Sequence, residues 1–370
     1  MRALIFSSDR QIFDPDGDSF NRMAAYGRLL ESLTVLVTCD RTESNSAGNV
    51  TLVPTGGSSR IARFCRSIRI GKSLARKEKF DLVVVQDPLF GGFAGWRVAR
   101  AARARLLVSV YGTNVFDPHW VRLAWKNRLL KRLASFILNR SDAIQTDGFE
   151  TEADLRKRYG DRVFWKPIVP ENIEEYRSIP RKTTPGEFKV LFIARMLPQK
   201  NIRFLVDVMD RLGKKGLPKK ISFTVVGDGP DKKFLDAEVA RRGLSACVRL
   251  VPGCTRQELP GLYTTHDAFV LTSHFEGFPR VFMEAAASGL PIVTTRVSGV
   301  TNVLENGASG FVSEQGDLDG FVANLARLAG DDALAGAFSE KIRADFWKRY
   351  SFAVTIERQK AIFDYLERAR

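Results

Sequence analysis

Short apolar runs alternate with helical periodicity along the whole chain and fall into two series. In the first series the intervening stretches have helical spacing, beginning around residues 20–31. Runs such as LVVV and LLVSV are apolar at every position, which is typical of parallel strands covered on both faces. The pattern predicts a doubly wound parallel sheet. Its strands are predicted at residues 3–7, 34–38, 82–85, 105–111 and 143–146.

A second series of apolar runs predicts another Rossmann-like sheet. Its strands are predicted at residues 189–195, 222–228, 248–253, 267–273 and 291–295. Residues 176–187 lose the periodicity and gather prolines and a glycine, so we place an interdomain linker there. The expected fold class is therefore α/β, with two Rossmann-like doubly wound domains, 1–180 and 187–349, facing a central cleft. Residues 350–370 form an amphipathic stretch that predicts a terminal helix.

Composition restricts the class of protein. With 370 residues, 44% of them hydrophobic, the chain suits two globular domains. The first residues do not resemble a signal sequence, and no window approaches the roughly 18 apolar residues of a membrane span. The four cysteines have neither metal-site nor disulfide-framework spacing and fit a reducing compartment. We expect a cytoplasmic protein, either soluble or peripheral on the inner face of the membrane.

The charge of +15 is concentrated near the beginning of the chain. Residues 1–184 carry +11 and the remainder +4, and residues 60–79 hold eight basic residues against one acid. Residues 121–138 form a second basic amphipathic run. Such faces can rest on an anionic membrane surface, and they can equally be the solvated faces of ordinary helices. The sequence contains no recognisable nucleic-acid-binding module, so we expect no nucleic acid partner.

The segment HFEGFPRVFMEAAASGLPIVTTR, residues 274–296, holds the strongest chemical signal. Gly277 lets backbone amides approach a ligand, and Pro279 near the first helical turn leaves free N–H groups that form an anion site. Glu276 lies at the turn and Glu284 about two turns later, so the two carboxylates can reach one cleft. Taken alone, such a pair is more often two solvated glutamates beside a helix N-terminus, where negative charge is favoured.

In its whole context this segment resembles the Glu-x7-Glu donor-sugar motif of retaining glycosyltransferases of family four, which have the GT-B fold. The resemblance implies that the partner is a nucleotide diphosphate sugar carrying UDP or GDP. It also implies that Glu276 holds the sugar and Glu284 the ribose. The amides at the start of the helix would assist with the diphosphate. These positions are Gly277, Phe278, Pro279 and Arg280.

Two basic residues follow the first strand of the second series. Arg195 and Lys200 resemble the Arg and Lys with which family members hold the donor diphosphate, where they would neutralise the leaving group. The usual Lys-Gly is Lys200-Asn201 in this chain. Asn tolerates left-handed geometry, so we expect the turn to be preserved.

Two further turns would line the nucleotide by resemblance. Gly227 and Gly229 lie in GDGPDKK, which lacks the third glycine of a dinucleotide-binding loop. Gly253 and Cys254 match the segment that borders the nucleobase. For both turns a purely structural role is an equal alternative.

The N-terminal side departs from the family pattern. YGTNVFDPHW resembles the family's HGTD-type loop, but Tyr111 and Asn114 replace its His and acidic residue, so sugar recognition differs. The first βα loop offers Gly17 and Asp16 toward phosphate and acceptor. Asp14, Asp16 and Asp18 do not have the spacing of a calcium loop, so we expect no metal and no other cofactor. We expect His266 to be a helix-end or packing residue.

The sequence therefore predicts a metal-independent hexosyltransferase. It would move a sugar to a hydroxyl of a glycan, lipid-linked or small-molecule acceptor, in cell-surface polysaccharide or glycolipid synthesis. In the family, retention is usually described as front-face attack with the leaving phosphate as base. One alternative is a sugar-nucleotide epimerase, which needs further acid/base carboxylates. Another is a non-catalytic sugar-nucleotide-binding or membrane scaffold, an alternative that Tyr111 and Asn114 favour.

Overall fold

The chain folds into two compact units. The computed structural model describes residues 1–15, 17–111, 115–116, 118–276, 279–297 and 299–368. The side chains of residues 18, 118, 119, 123, 171 and 301 are not described. The first unit comprises Met1–Glu171 with Phe352–Arg370, and the second comprises Asn172–Ser351.

The first unit is built on a sheet of eight strands in the order β3-β4-β2-β1-β5-β6-β7-β8. All neighbouring strands pair in parallel except β3 and β4, which are antiparallel. Parallel pairing requires crossover connections, and helices supply most of them. The strands are β1 (Arg2–Ser7), β2 (Ser32–Val37), β3 (Asn45–Ala47), β4 (Val50–Pro54), β5 (Leu82–Val85), β6 (Arg105–Val110), β7 (Ala143–Thr146) and β8 (Val163–Trp165).

Helices cover both faces of this sheet, because alternate strand residues point to opposite sides and both sets are apolar. Leu4 and Val83 face a core that includes Val98 and Ile137, whereas Ile5 and Val84 face the opposite core. The helices in the first part of the chain are α1 (Asp18–Gly27), α2 (Arg60–Lys77), α3 (Phe90–Ala102), α4 (Pro118–Leu123), α5 (Trp125–Leu138) and α6 (Phe149–Tyr159).

The second unit has a six-stranded sheet in the order β11-β10-β9-β12-β13-β14, in which every neighbouring pair is parallel. The first and fourth strands along the chain, β9 and β12, are neighbours at the centre. The direction of strand progression reverses between them, which makes this the switch point where such sheets bind ligands. The strands are β9 (Glu187–Ile193), β10 (Lys220–Val226), β11 (Val248–Val251), β12 (Ala268–Leu271), β13 (Ile292–Thr295) and β14 (Gly310–Ser313).

Most helices of the second unit are amphipathic, but the one after β12 is buried almost all round. Six of the eight residues of Arg280–Ala287 are buried, including Glu284. A carboxylate in such a helix is costly unless polar groups meet it. The remaining helices of the chain are α7 (Glu175–Ser178), α8 (Ile202–Gly213), α9 (Lys232–Arg241), α10 (Leu259–Thr264), α11 (Arg280–Ala287), α12 (Val300–Val303), α13 (Leu318–Gly330), α14 (Asp332–Arg349) and α15 (Phe352–Arg368).

The helix at the end of the chain belongs to the first unit. Ile362, Phe363 and Leu366 of α15 are buried in the same core cluster as Met23 and Tyr26 of α1. The chain passes between the units at residues 171/172, several residues before the predicted linker. Ile173 and Tyr176 are fully buried, which anchors this stretch in the second unit.

All ten predicted strands are present, with ends shifted by up to two residues. The sequence reading missed β3, β4, β8 and β14, which have three to five residues each. Short strands form through pairing and packing with neighbours that are distant in sequence, and a local apolar pattern reveals only some of them. Among the described helices, none combines the length and the apolar character needed to span a membrane.

Candidate active site

The switch point of the second sheet brings two predicted site residues into contact. Lys200 ends the loop after β9, and Glu276 lies in the loop after β12. The ammonium group of Lys200 donates a hydrogen bond to Oε1 of Glu276, and the two side chains are only 13% and 8% exposed. Ser273 Oγ donates to the same carboxylate oxygen at 2.6 Å. Desolvation strengthens such a pair, so it fixes both side chains.

The loop after β9 has the geometry expected from the sequence. Asn201 adopts φ 51° and ψ 56°, the left-handed conformation that a glycine usually supplies, so the prediction for Lys200-Asn201 is confirmed. Its side chain also accepts a hydrogen bond from Phe204 N at the start of α8. Thr272 Oγ1 donates to Lys200 O at 2.8 Å and ties this loop to the one after β12. Arg195, earlier in the loop, is exposed.

The glycines of the turn after β10 are explained by close backbone approach. Gly227 and Gly229 have φ values of 140° and 152°, and a Cβ on them would lie 1.9 Å from Ala194 O and 2.5 Å from Met196 O. Met196 N donates to Asp228 O at 2.8 Å. The turn therefore packs directly on the backbone that carries Arg195. This geometry supplies a structural reason for both glycines, independent of any contact with a nucleotide.

Glu284 is held by a buried phenol that the sequence reading missed. Tyr263 at the end of α10 is fully buried, and its hydroxyl donates to Glu284 Oε2 at 2.8 Å. Burial and the Glu284 charge raise the pKa of Tyr263 well above its usual range. Burial and the same charge also raise the pKa of Tyr176, whose ring lies 5.8 Å from that of Tyr263. Both phenols are therefore neutral at physiological pH, and Tyr263 is the one that donates to Glu284.

The loop after β11 lies within electrostatic range of Glu284. Burial raises the pKa of the Cys254 thiol, and the charges of Glu258 and Glu284 raise it further. Gly253 is exposed, and a Cβ there would meet no atom within 4 Å. The carboxyl ends of β9, β10, β11 and β12 thus contribute neighbouring loops to one edge of the sheet.

Two other supporting residues had no signal in the sequence. Ser273 is the last residue of the predicted strand 267–273, yet it follows β12 and donates to Glu276. Gln315 donates from Nε2 to the carbonyl oxygens of Ser273 at 3.0 Å and Arg296 at 2.9 Å. These two hydrogen bonds stabilise the loop after β12. A motif search cannot find Gln315, because its partners lie 42 and 19 positions away in the chain.

Some predicted positions lie outside the described residues, namely Asp16, Asn114, Gly277 and Phe278. Of their neighbours, Gly17 precedes α1 as its N-cap, and Pro279 is buried as the N-cap of α11. Arg280 is exposed as the first residue of that helix. The predicted anion-binding turn is therefore described only on its helical side.

In the first unit, Tyr111 follows β6 and turns its hydroxyl toward other protein groups. Gln145 Nε2 donates to Tyr111 Oη at 2.8 Å, and the Lys166 ammonium lies 5.7 Å from the centre of the Tyr111 ring. Burial raises the pKa of this phenol. The residue that replaces the family's histidine is thus a neutral member of a buried polar cluster.

His266 has the packing role expected from the sequence. It is buried just after α10, and its Nδ1 lies 2.7 Å from Leu262 O, which can only accept a hydrogen bond. Nδ1 therefore carries the proton, and Nε2 accepts from Thr224 Oγ1 at 2.9 Å. Burial lowers the pKa of this imidazole.

Sequence models of two protein families match consecutive parts of the chain. The model described as "Glycosyl transferases group 1" matches residues 173–345, and the "Glycosyl transferase 4-like domain" matches residues 22–165. The chain belongs to the family of glycosyltransferases that these two models together describe.

Curated relatives and solved structures agree with this family. An Escherichia coli UDP-Gal:alpha-D-GlcNAc-diphosphoundecaprenol alpha-1,3-galactosyltransferase is 26% identical over 82% of each chain. A Mycobacterium tuberculosis glycogen synthase is 24% identical over 61% of this chain, which spans 56% of that relative's length. The structure of Anabaena Alr3699/HepE with UDP and glucose has a TM-score of 0.72 at 17% identity, covering 98% of each chain.

The predicted fold class is confirmed. Two α/β units, each built on a sheet of mainly parallel strands, are characteristic of the GT-B glycosyltransferases. The second unit carries the first family match, and it also carries the contact between Lys200 and Glu276.

Proposed function

We propose that this glycosyltransferase moves a hexose-type sugar from a nucleotide diphosphate sugar to a hydroxyl group, with retention at the anomeric carbon and without a metal. The contact between Lys200 and Glu276 at the switch point carries the proposal. This contact holds the Lys200 ammonium, which would bind the diphosphate, next to the Glu276 carboxylate, which would accept hydrogen bonds from sugar hydroxyls. Parallel sheets of this order bind ligands at the same edge.

The diphosphate is the best-supported part of the donor. An ammonium group has three donors, so Lys200 can keep its bond to Glu276 while it donates to a phosphate oxygen. Arg195, exposed on the same loop, adds a second cation, and the N-terminus of α11 adds the partial positive charge of the helix dipole. These groups neutralise the charge that grows on the leaving nucleoside diphosphate in the transition state.

The two carboxylates would bind the sugar units of the donor. Glu276, fixed by Lys200 and Ser273, would accept hydrogen bonds from the transferred hexose. Glu284, held by Tyr263, would accept from the ribose hydroxyls. In the transfer the bond from C1 to the phosphate oxygen breaks, and the acceptor oxygen bonds to C1 on the same face. The departing phosphate oxygen takes the acceptor proton.

The names of the relatives suggest which donor and acceptor to test first. The Escherichia coli relative is named for UDP-Gal and a diphosphoundecaprenol-linked acceptor, and the Anabaena structure contains UDP and glucose. We therefore place this chain with UDP-hexose donors and with glycan or lipid-linked acceptors. This choice fits a role in cell-surface polysaccharide or glycolipid synthesis.

A basic and aromatic surface of the first unit would bring the enzyme to such an acceptor. Ring contacts join Phe64 of α2 to Phe93 of α3, and Trp96 of α3 to Phe136 of α5, so these helices cover the same face of the sheet. Four large apolar side chains here are more than half exposed. They are Ile61, Phe90, Trp125 and Leu129.

The charge of this surface suits an anionic leaflet. Arg60, Arg69, Lys126 and Arg128 are exposed on α2 and α5, and each cation near an anionic surface contributes about 1 kcal/mol. Arg63 instead donates to Gly57 O at 2.9 Å, so the basic residues of the segment 60–79 are not all exposed. Exposed aromatic and aliphatic groups beside cations are typical of interfacial helices.

A turnover assay tests the enzymatic proposal. UDP-glucose, UDP-galactose and GDP-mannose are each incubated with the purified protein and a polyprenyl-diphosphate-linked sugar, with EDTA present, and nucleotide release and product anomer are measured. We expect UDP release, a retained anomer and a loss of at least 100-fold in Lys200→Ala. Lys214→Ala, at the opposite end of α8 and 74% exposed, is the matched control and should be unchanged.

The outcome of this assay separates the rival functions. If the protein binds a nucleotide sugar but releases no nucleotide in the presence of the acceptor, the scaffold alternative is indicated. Conversion of one UDP-hexose into its epimer in the absence of an acceptor would indicate the epimerase alternative.

A further inference from the structure

The first unit contains a polar cavity that the donor site does not use. It has a volume of about 200 Å³ and opens among the carboxyl ends of the central strands, α1 and α15. One water occupies about 30 Å³ of liquid, so the cavity has room for a group of several heavy atoms. All its lining residues lie within the first unit.

The floor of this cavity is a buried cation that has only neutral hydrogen-bond partners. Lys166 is 2% exposed, and its ammonium donates to Tyr26 Oη at 2.7 Å and to Gln359 Oε1 at 2.9 Å. Arg22 adds a second cation, and no carboxylate is found among the described residues that line the cavity. A buried ammonium without a counter-charge is costly, and a bound anion would offset that cost.

Two side-chain atoms in the lining lack a hydrogen-bond partner within the described structure. Gln145 is 3% exposed, and its Nε2 donates to Ser109 and Tyr111 while its Oε1 has no partner. Gln359 is 2% exposed, and its Oε1 accepts from Lys166 while its Nε2 has no partner. Buried polar atoms are nearly always satisfied. The cavity thus offers a free acceptor, a free donor and a cation.

We infer that this cavity binds an oxyanion that carries an adjacent hydroxyl, such as a hydroxylated carboxylate or a phosphate monoester. The anion would meet Lys166 and the Gln359 amide, and the hydroxyl would donate to Gln145 Oε1. If the proposed function holds, this group is the anionic end of the acceptor. The binding of an oxyanion itself does not depend on that function.

Direct binding measurements test the inference without catalysis. Calorimetric titrations use inorganic phosphate, D-glucuronate and D-glucose as probes of phosphate, carboxylate and neutral sugar. They are made in a Lys200→Ala background, which removes phosphate binding at the donor site. We expect glucuronate or phosphate to bind at least tenfold more tightly than glucose. Whichever anion binds more tightly identifies the source of the oxyanion.

Variants then locate the site. Lys166→Met and Gln145→Glu should each weaken anion binding at least tenfold, the second by placing a like charge in the cavity. Lys157→Gln, an exposed lysine of the same unit, should bind as the parent does. If Lys166→Met fails to fold, Gln145→Glu decides. Unchanged anion affinity in a folded cavity variant would show that Lys166 only fastens α15 and would overturn the inference.

The acceptor role has a separate readout. The variants could lose anion binding while the parent enzyme turns over charged and neutral acceptors equally. The cavity would then be an anion site that takes no part in the reaction. Absence of any turnover, with anion binding intact, would contradict the proposed function and leave the cavity assignment standing.

Discussion

The ammonium group of Lys200 contacts the carboxylate of Glu276, although 76 positions of the chain separate the two residues. Each follows a central strand of the second sheet, and β9 and β12 are neighbours in that sheet. The contact thus links the loop after β9 to the loop after β12.

Removing one partner of this pair should destabilise the second unit. Glu276→Ala leaves the largely buried ammonium of Lys200 without its counter-charge, and we expect a loss of about 3 kcal/mol in the free energy of unfolding. The double variant Lys200→Met, Glu276→Ala should lose less than the sum of the two single variants. Denaturant titrations measure all three. Strict additivity would mean that the pair is not coupled in solution.

Tyr263 and Glu284 should act together in nucleotide binding. Glu284→Ala should weaken UDP binding at least tenfold, with unchanged far-UV circular dichroism, because the ribose loses its acceptor. Tyr263→Phe removes the hydrogen bond that orients this carboxylate and should weaken binding by a smaller factor. Titration calorimetry with UDP checks both. Full affinity in Glu284→Ala would disprove the ribose assignment.

Gly227 should be intolerant of even a methyl group. Gly227→Ala places a Cβ 1.9 Å from Ala194 O at a φ of 140°, so the loop that carries Arg195 must shift. We expect a loss of about 3 kcal/mol in stability and weaker UDP binding. Gly213→Ala, at the end of α8 where a Cβ meets nothing within 4 Å, is the control and should change stability by less than about 1 kcal/mol. Comparable effects in both variants would refute this account.

His266 should make the second unit sensitive to acid. Burial lowers the native pKa of the imidazole, so the unfolded chain binds more protons between the native pKa and about 6.5. Its contribution to stability is complete above about pH 6.5 and declines as the pH falls through the native pKa, by at most about 1.4 kcal/mol per pH unit. Denaturant midpoints from pH 7.5 to 5 measure this slope. His266→Gln should flatten it, and an unchanged slope would point to another group.

Membrane binding should depend on both charge and apolar contact. The parent protein should bind anionic vesicles and not neutral ones, and binding should weaken as salt screens the cations. Trp125→Ala should weaken vesicle binding, because its 77% exposed ring is available to the interface. Tyr365→Ala, 36% exposed on α15, is a control on the opposite face of the sheet. Equal binding by both variants would argue against this surface.

The fold class and the candidate residues of the second unit follow from local patterns in the sequence. Apolar runs predict ten of the fourteen strands, because parallel strands covered on both faces are apolar at every position. Asn201 is an example at the level of one residue, because its left-handed turn depends on local backbone energetics. The spacing of Glu276 and Glu284 likewise follows from one loop and one helix.

The partners of those residues depend on how distant parts of the chain pack together. The resemblance singles out Lys200, but its contact with Glu276 exists only because β9 and β12 are neighbours in the sheet. Tyr263 reads as a core aromatic until α10 brings its hydroxyl to Glu284. Lys166 has no motif at all, yet β8, α1 and α15 close around it. Local patterns record backbone preference and burial, whereas the partner of a buried polar group is chosen by elements that lie far away in the chain.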